Sequence, residues 1–304
     1  MRYGLSYKGS KNKIAAQIVE QLPPAECFVD LFAGGCAVTH AAMLSGKYKR
    51  FIINDIDHAP IMLFKDAVAG KYRDEKRWIS RDDFFSLKDT DPYVKLCWSF
   101  GNNGRDYLYS GVIEPWKKAL HYARVLKDFS LLAEMNIVSD GSRHDIQIHH
   151  EEYKQKYIVW LRKRVKLHTS DEERLQSLER LQSLERLERL QRLERLQRLE
   201  SYTEDYQDVP IPLDSVIYCD IPYIGTNEYN KDGFDHERFY TWAAEQKNLY
   251  VSEYQMPEPF ESVWALKKAQ LLNGNGSGAK KLEQLFVNKT NTTPEATLFD
   301  FMEG

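Results

Sequence analysis

The chain opens on a polar, lysine-bearing segment and then alternates short apolar runs with longer periodic ones. Ile14, Ile18, Val19 and Leu22 recur at the spacing of an amphipathic helix, with Ser10 as a candidate cap and Pro23-Pro24 as the stop. Residues 27–32 form a continuous apolar run of strand type that ends in Ala33-Gly34-Gly35, and a helical stretch over 37–44 follows. Residues 51–55 predict a second strand, and 60–69 a further helix. Strand, glycine turn, helix and strand, with an acid closing the second strand, make half of a doubly wound α/β sheet. From 71 to 206 the alternation stops. Within this stretch, 107–113 (Tyr-Leu-Tyr-Ser-Gly-Val-Ile) is expected to form a hairpin, and 153–168 a basic helix. The α/β rhythm resumes with a strand at 215–219, a helix over 235–246 and strands at 249–252 and 282–287, the last preceded by a glycine-rich loop at 273–278.

The pattern therefore predicts a catalytic domain split in sequence, 1–70 and 205–304. A mostly helical insert occupies 71–170, and a leucine repeat follows at 171–201. In that repeat Leu175, Leu178, Leu181, Leu184, Leu187, Leu190, Leu193, Leu196 and Leu199 recur every third residue, among Glu, Gln, Arg and Ser. A coiled coil needs a mean spacing of about 3.5 residues, so this is not a heptad. On an α-helix, a step of three moves each leucine back by about 60°, which leaves no single apolar face. On a 3₁₀-helix the leucines would form one edge, although long 3₁₀ runs are uncommon. Residue propensity favours an α-helix; 3₁₀ and unfolded states are the alternatives. Its expected role is a spacer or a self-association or partner-binding rod.

Composition changes this picture little. At 42% hydrophobic and 12% aromatic residues, the chain has the makings of a sizeable core. A net charge of −3 excludes a wholly basic surface but leaves room for a local basic face. Lysines and arginines do cluster around Lys8, Lys11 and Lys13, and again at Lys154, Lys156, Arg162, Lys163, Arg164 and Lys166. Cys27, Cys36, Cys97 and Cys219 lack metal-ligand spacing and read as reduced thiols. No signal peptide or run of about 20 apolar residues is present, so a cytoplasmic protein without a membrane segment is expected.

Four segments carry chemistry. Asp220-Ile221-Pro222-Tyr223 follows an apolar strand. An exocyclic amine conjugated with an aromatic ring is a poor nucleophile. A carboxylate and a carbonyl that each accept one amine hydrogen favour the tetrahedral nitrogen that can attack an electrophilic methyl group. Asp220 and the Ile221 carbonyl can be those acceptors; Pro222 stiffens the turn. Tyr223 offers a face for a base turned out of a duplex. The turn at 28–35 lets a ligand approach the backbone, with Asp30 beside an ammonium group. At 54–57, Asp55, or failing that Asp57, can accept ribose hydroxyls, and Ile56 can pack on an adenine ring. Tyr7-Lys8-Gly9-Ser10-Lys11 is a basic loop before a helix, suited to an anion. Each segment alone also fits an ordinary turn or a solvated charge run.

In this order and strand context, the four segments resemble the DNA adenine methyltransferases of the Dam type over roughly 1–70 and 205–290. The resemblance implies a class I S-adenosylmethionine-dependent methyltransferase fold, a Rossmann-like doubly wound α/β sheet with an inserted target-recognition region. It implies methyl transfer to the N6 amine of adenine in double-stranded DNA by base flipping, with S-adenosylmethionine as donor. It places Tyr7, Lys11, Asp55 and Asp220 against the cofactor, with Asp30, Phe32, Gly34 and Ile56 lining its pocket. It assigns the target adenine to the box at 220–223, where Ile221 stands in place of the usual proline. Lys8, Asn102, Asn103, Arg105, Tyr107 and Tyr109 become candidates for DNA contact, because Asn and Arg read adenine and guanine edges. Other readings of the same residues are methyl transfer to RNA or to a protein glutamine amide, and a non-catalytic DNA-binding or assembly protein that keeps the fold. The leucine repeat has no counterpart in the family pattern.

Overall fold

The computed structural model describes residues 3–7, 9–111, 113–128, 130–131, 198–223, 233–266 and 283–288. They belong to two compact units, Met1–Val68 with Arg192–Gly304, and Ala69–Gln191.

The first unit is built on a seven-stranded sheet of order β3-β2-β1-β4-β5-β7-β6. Its strands are β1 (Cys27–Asp30), β2 (Arg50–Asn54), β3 (Leu199–Tyr202), β4 (Ser215–Cys219), β5 (Leu249–Glu253), β6 (Phe260–Leu266) and β7 (Glu283–Asn288). The first five in space run parallel, whereas β7 lies antiparallel between β5 and β6. The central strands β1, β4 and β5 are buried along their whole length. Parallel strands covered on both faces read as unbroken apolar runs for this reason. Val29, Leu31, Ile217, Cys219 and Val251 face one side, where Phe239 and Ala243 join the cluster. Each valine, leucine, isoleucine or phenylalanine among them, taken fully from water, contributes roughly 1.5–3 kcal/mol. On β1 the intervening Phe28 stacks near Tyr218 and Tyr48. Helices α1 (Ala15–Gln21) and α2 (Ala37–Ser45) pack together, α2 also covers β1 and β2, and α3 (His58–Val68) touches β3.

In the second unit, α4 (Arg81–Leu87) opens with a capping box between Ser80 and Asp83, and α5 (Pro92–Cys97) is capped by Asp91. Helix α6 (Glu114–His121) runs on into a π-turn at Tyr122–Leu126. The aromatic core of this unit has Trp78 stacked on Tyr109 and edge-on to the fully buried Trp98. The last helix described, α7 (His236–Glu245), returns to the first unit and is capped by Asp235.

Three expectations change. Ser10 does not cap α1, which begins at Ala15 behind an Ile14 with no side-chain cap bond. Residues 107–113 are not a hairpin: Tyr107 bridges back to Ser99, and the chain turns at Ser110 into α6. The expected helix does not cover 199–201, because Leu199, Glu200 and Ser201 pair with Phe51, Ile52 and Ile53 as strand β3. That pairing is reinforced by a two-bond contact of Arg50 with Glu200, so the catalytic unit resumes before 205. The rest of the repeat, the basic stretch at 153–168 and the loop at 273–278 lie outside the described residues.

Candidate active site

The parallel register brings three loops to one end of the sheet. Asp30, the last residue of β1, lies level with Ile53 on β2 and Tyr218 on β4. The glycine turn, the 55–57 acids and the box at 220–223 therefore emerge side by side. The sheet order reverses between β1 and β4, and such crevices are where open α/β sheets bind ligands.

The glycine turn is held closely. Gly34 has φ +46°, and a Cβ there would lie 3.1 Å from the Tyr7 ring. Its amide donates to the Asp55 carboxylate at 2.8 Å, and the other Asp55 oxygen accepts from the Asp57 amide at 2.9 Å. Burial pushes the Asp55 carboxyl upward, against the pull of those two amides. The Tyr7 hydroxyl donates to Asp57 at 3.2 Å, tying the N-terminal loop to the second acidic turn. Beneath the turn Asp30 is 1% exposed. One of its oxygens accepts from the Thr39 hydroxyl at 2.6 Å; the other has no hydrogen-bond partner. Burial raises its carboxyl to about 7, and the charges of Asp220 and Asp55 add to the rise. The three carboxylates thus feel one another's charge. Ile56 is 74% exposed, an apolar side chain presented to solvent beside the acids.

The box sits at the end of β4. The Asp220 carboxylate accepts from the Lys11 ammonium at 2.6 Å. Glu283, on β7, lies 3.5 Å from the same ammonium and accepts a hydrogen bond from the Tyr223 hydroxyl. The ammonium also stands 4.6 Å from the centre of the Tyr223 ring. Burial works against the charge of Lys11, but the two carboxylates outweigh it and hold the ammonium above its ordinary value. On Asp220 burial prevails, so its carboxyl is raised despite Lys11. Ile221 is 2% exposed and belongs to the core of the sheet. The Pro222 carbonyl accepts from His236 at the start of α7, at 2.8 Å. Tyr254 meets the Tyr223 ring edge-on at 4.5 Å.

Tyr7, Lys11, Asp30, Gly34, Asp55, Ile56 and the box, drawn from both ends of the sequence, are therefore brought together. Residues 7–257 match the D12 class N6 adenine-specific DNA methyltransferase family. The chain belongs to that family. No curated protein sequence matches it significantly. The methyltransferase carries the class I S-adenosylmethionine-dependent fold, in its mixed seven-stranded form. Its reaction is site-specific methylation of the N6 amine of adenine in DNA. No helix among the described residues is long and apolar enough to cross a membrane.

Some predicted site residues have other work. The Phe32 ring is packed among Tyr206, Phe234 and Phe239 and is chiefly a core residue. Tyr107 and Tyr109 are buried; the Tyr107 hydroxyl donates to the Ile79 carbonyl, so neither ring presents a surface to DNA. The Asn102 amide donates to the Leu96 carbonyl at 2.6 Å. Asn103 is exposed, but its side chain braces the turn through Asp106 and the amides of Arg105 and Asp106. Arg105 is exposed. Lys8 lies outside the described residues. The sequence reading missed Glu283, Tyr254 and His236, none of which stands in a motif; only strand pairing and helix packing deliver them to the box.

Proposed function

We propose that Asp220 and the Ile221 carbonyl accept the two amine hydrogens of a flipped adenine, while Tyr223 stacks on the base. The observation that carries this reading is the Asp220 carboxylate at the C-terminal end of β4, beside the glycine turn and facing Lys11. Methyltransferases of this family generally use S-adenosylmethionine, which when bound supplies a methyl group on a positively charged sulfur. The residues present fit that donor. The unpartnered Asp30 oxygen would hold its ammonium, the Asp55 carboxylate its ribose hydroxyls, and the exposed Ile56 side chain its adenine ring. The Tyr7 ring lies against Gly34, where only a glycine leaves room for it, and Tyr7 and Lys11 line the donor site from the N-terminal loop. Asp220 hydrogen-bonds the amine, and the nitrogen lone pair is directed at the methyl group; the excess amine proton leaves to solvent after transfer.

The substrate on this reading is double-stranded DNA. The exposed Arg105 reads a base edge, while Lys8 and the cations of the insert grip phosphates. The leucine repeat serves self-association or a partner protein, and the enzyme works in the cytoplasm. The test is transfer of labelled methyl to duplex DNA by Asp220→Ala. Transfer should fall below detection, while the melting temperature and the DNA dissociation constant stay close to those of the parent. Retained transfer would refute the role given to Asp220.

A further inference from the structure

The target amine shares the Asp220 carboxylate with a competitor. Its Oδ1 is held by a charged ammonium at 2.6 Å on a side chain 21% exposed, and a neutral amine does not displace an ammonium from a carboxylate oxygen unaided. Removing the partner of a buried charge costs several kcal/mol unless another takes its place. The structure holds that other partner. Glu283 Oε1 is 3.5 Å from the same Nζ, on a residue 5% exposed. It is fixed from two directions: as the first residue of β7, Glu283 pairs with Leu266 on β6, and its carboxylate accepts from Tyr223. The next residue, Gln284, donates to the Tyr254 carbonyl at 2.7 Å, and Tyr254 abuts the Tyr223 ring. The start of β7 therefore governs both the counter-ion of Lys11 and the seat of the base-stacking tyrosine.

We propose that Glu283 is a positioning residue for methyl transfer: it receives the Lys11 ammonium when the target amine takes the place of that ammonium at Asp220. This rests on the reading of Asp220 given above. Closing the gap to Glu283 requires the ammonium to move by about an ångström, a side-chain adjustment within one rotamer well for lysine. No proton changes hands: Lys11 stays charged throughout, and its closer ion-pair contact passes from Asp220 to Glu283. The Tyr223 hydroxyl, already donating to Glu283, keeps its ring in place during the exchange.

The test uses the full chain with S-adenosylmethionine and a duplex carrying its target site, in single-turnover methylation. Glu283→Gln keeps the size of the side chain and an oxygen that accepts from Tyr223 but removes the charge that draws Lys11 away. The methylation rate should fall about tenfold or more, while the dissociation constants for DNA and cofactor and the melting temperature hold. Glu283→Asp, which retains the charge, should recover part of the rate. The proposal is overturned by a Glu283→Gln enzyme at the parent rate, by a rate loss matched by weakened binding or folding, or by Glu283→Asp as slow as Glu283→Gln. If Asp220→Ala is inactive and Glu283→Gln is at the parent rate, this inference falls alone. An active Asp220→Ala removes the reading beneath it.

Discussion

Asp30→Asn isolates the cost of keeping a carboxyl group under the glycine turn. In the folded protein this carboxyl is raised from 3.8 to about 7, with burial as the main cause. A raised native value means that the folded state holds the proton more tightly than the unfolded chain. The resulting stabilisation is complete below 3.8 and is lost as the pH climbs to about 7. Single-site linkage with these two values gives a loss of about 2 kcal/mol by about pH 5.5 and about 4 kcal/mol by about pH 8. An asparagine offers Thr39 the same acceptor and leaves one amide group without a partner, at a cost that does not vary with pH. Denaturant unfolding of the cofactor-free parent and Asp30→Asn at the two pH values cancels every other titration. Between them the parent should lose about 2 kcal/mol more than the variant. Binding should move the other way: the variant presents no charge to the cofactor ammonium, so calorimetry should show weaker S-adenosylmethionine binding at the higher pH. Stability curves that run parallel from one pH to the other would show that Asp30 titrates as in water, and the account of its burial would be wrong.

Two further variants probe the frame around the site. At Gly4 (φ +65°) an added Cβ would sit 2.4 Å from the Gly35 carbonyl and 2.7 Å from backbone atoms of Ala37, none of which can move aside. Gly4→Ala should cost about 3 kcal/mol or more in denaturant unfolding, whereas Gly46→Ala, at φ +74° with nothing within 4 Å, should cost only about 1 kcal/mol. His236→Ala removes the donor to the Pro222 carbonyl. A hydrogen bond worth about 1 kcal/mol predicts a single-turnover rate roughly fivefold slower with cofactor affinity unchanged.

The parts of this protein legible in the sequence are those whose determinants are local. Strands β1, β2, β4 and β5 are apolar because they are buried, and their loops carry the acids and glycines where chain order puts them. Strand β3 was hidden inside the leucine repeat. All four of its residues are only half-buried, and it exists because β2 offers a free edge and Arg50 a partner for Glu200. Strand β6 ends the sheet with three consecutive exposed residues, Glu261, Ser262 and Val263, which show no alternation. Tyr107 and Tyr109 misled in the opposite direction. Tyrosines in a Gly- and Asn-rich stretch resemble a recognition surface, but their partners Trp78 and Phe84 come from earlier in the chain. Glu283 gave no signal at all, since a single acid at a strand start acquires meaning only beside Lys11.

The isoleucine in the box follows the same logic. In a box with two prolines, the first fixes its own φ and removes an amide donor. Ile221 precedes Pro222, so the helical region is already closed to it by contact with the pyrrolidine ring. Its branched Cβ further favours the extended backbone. What a ring would enforce at this position is therefore largely enforced by its neighbour and its own branching. The flanks are also held, Asp220 by Lys11 and the Pro222 carbonyl by His236. The isoleucine side chain, 2% exposed within the sheet core, adds packing that anchors the turn to β4. The chemistry assigned to residue 221 belongs to its carbonyl, an atom common to both residue types. The substitution thus exchanges one means of stiffening a backbone for another and keeps the carbonyl that the proposed acceptor pair requires.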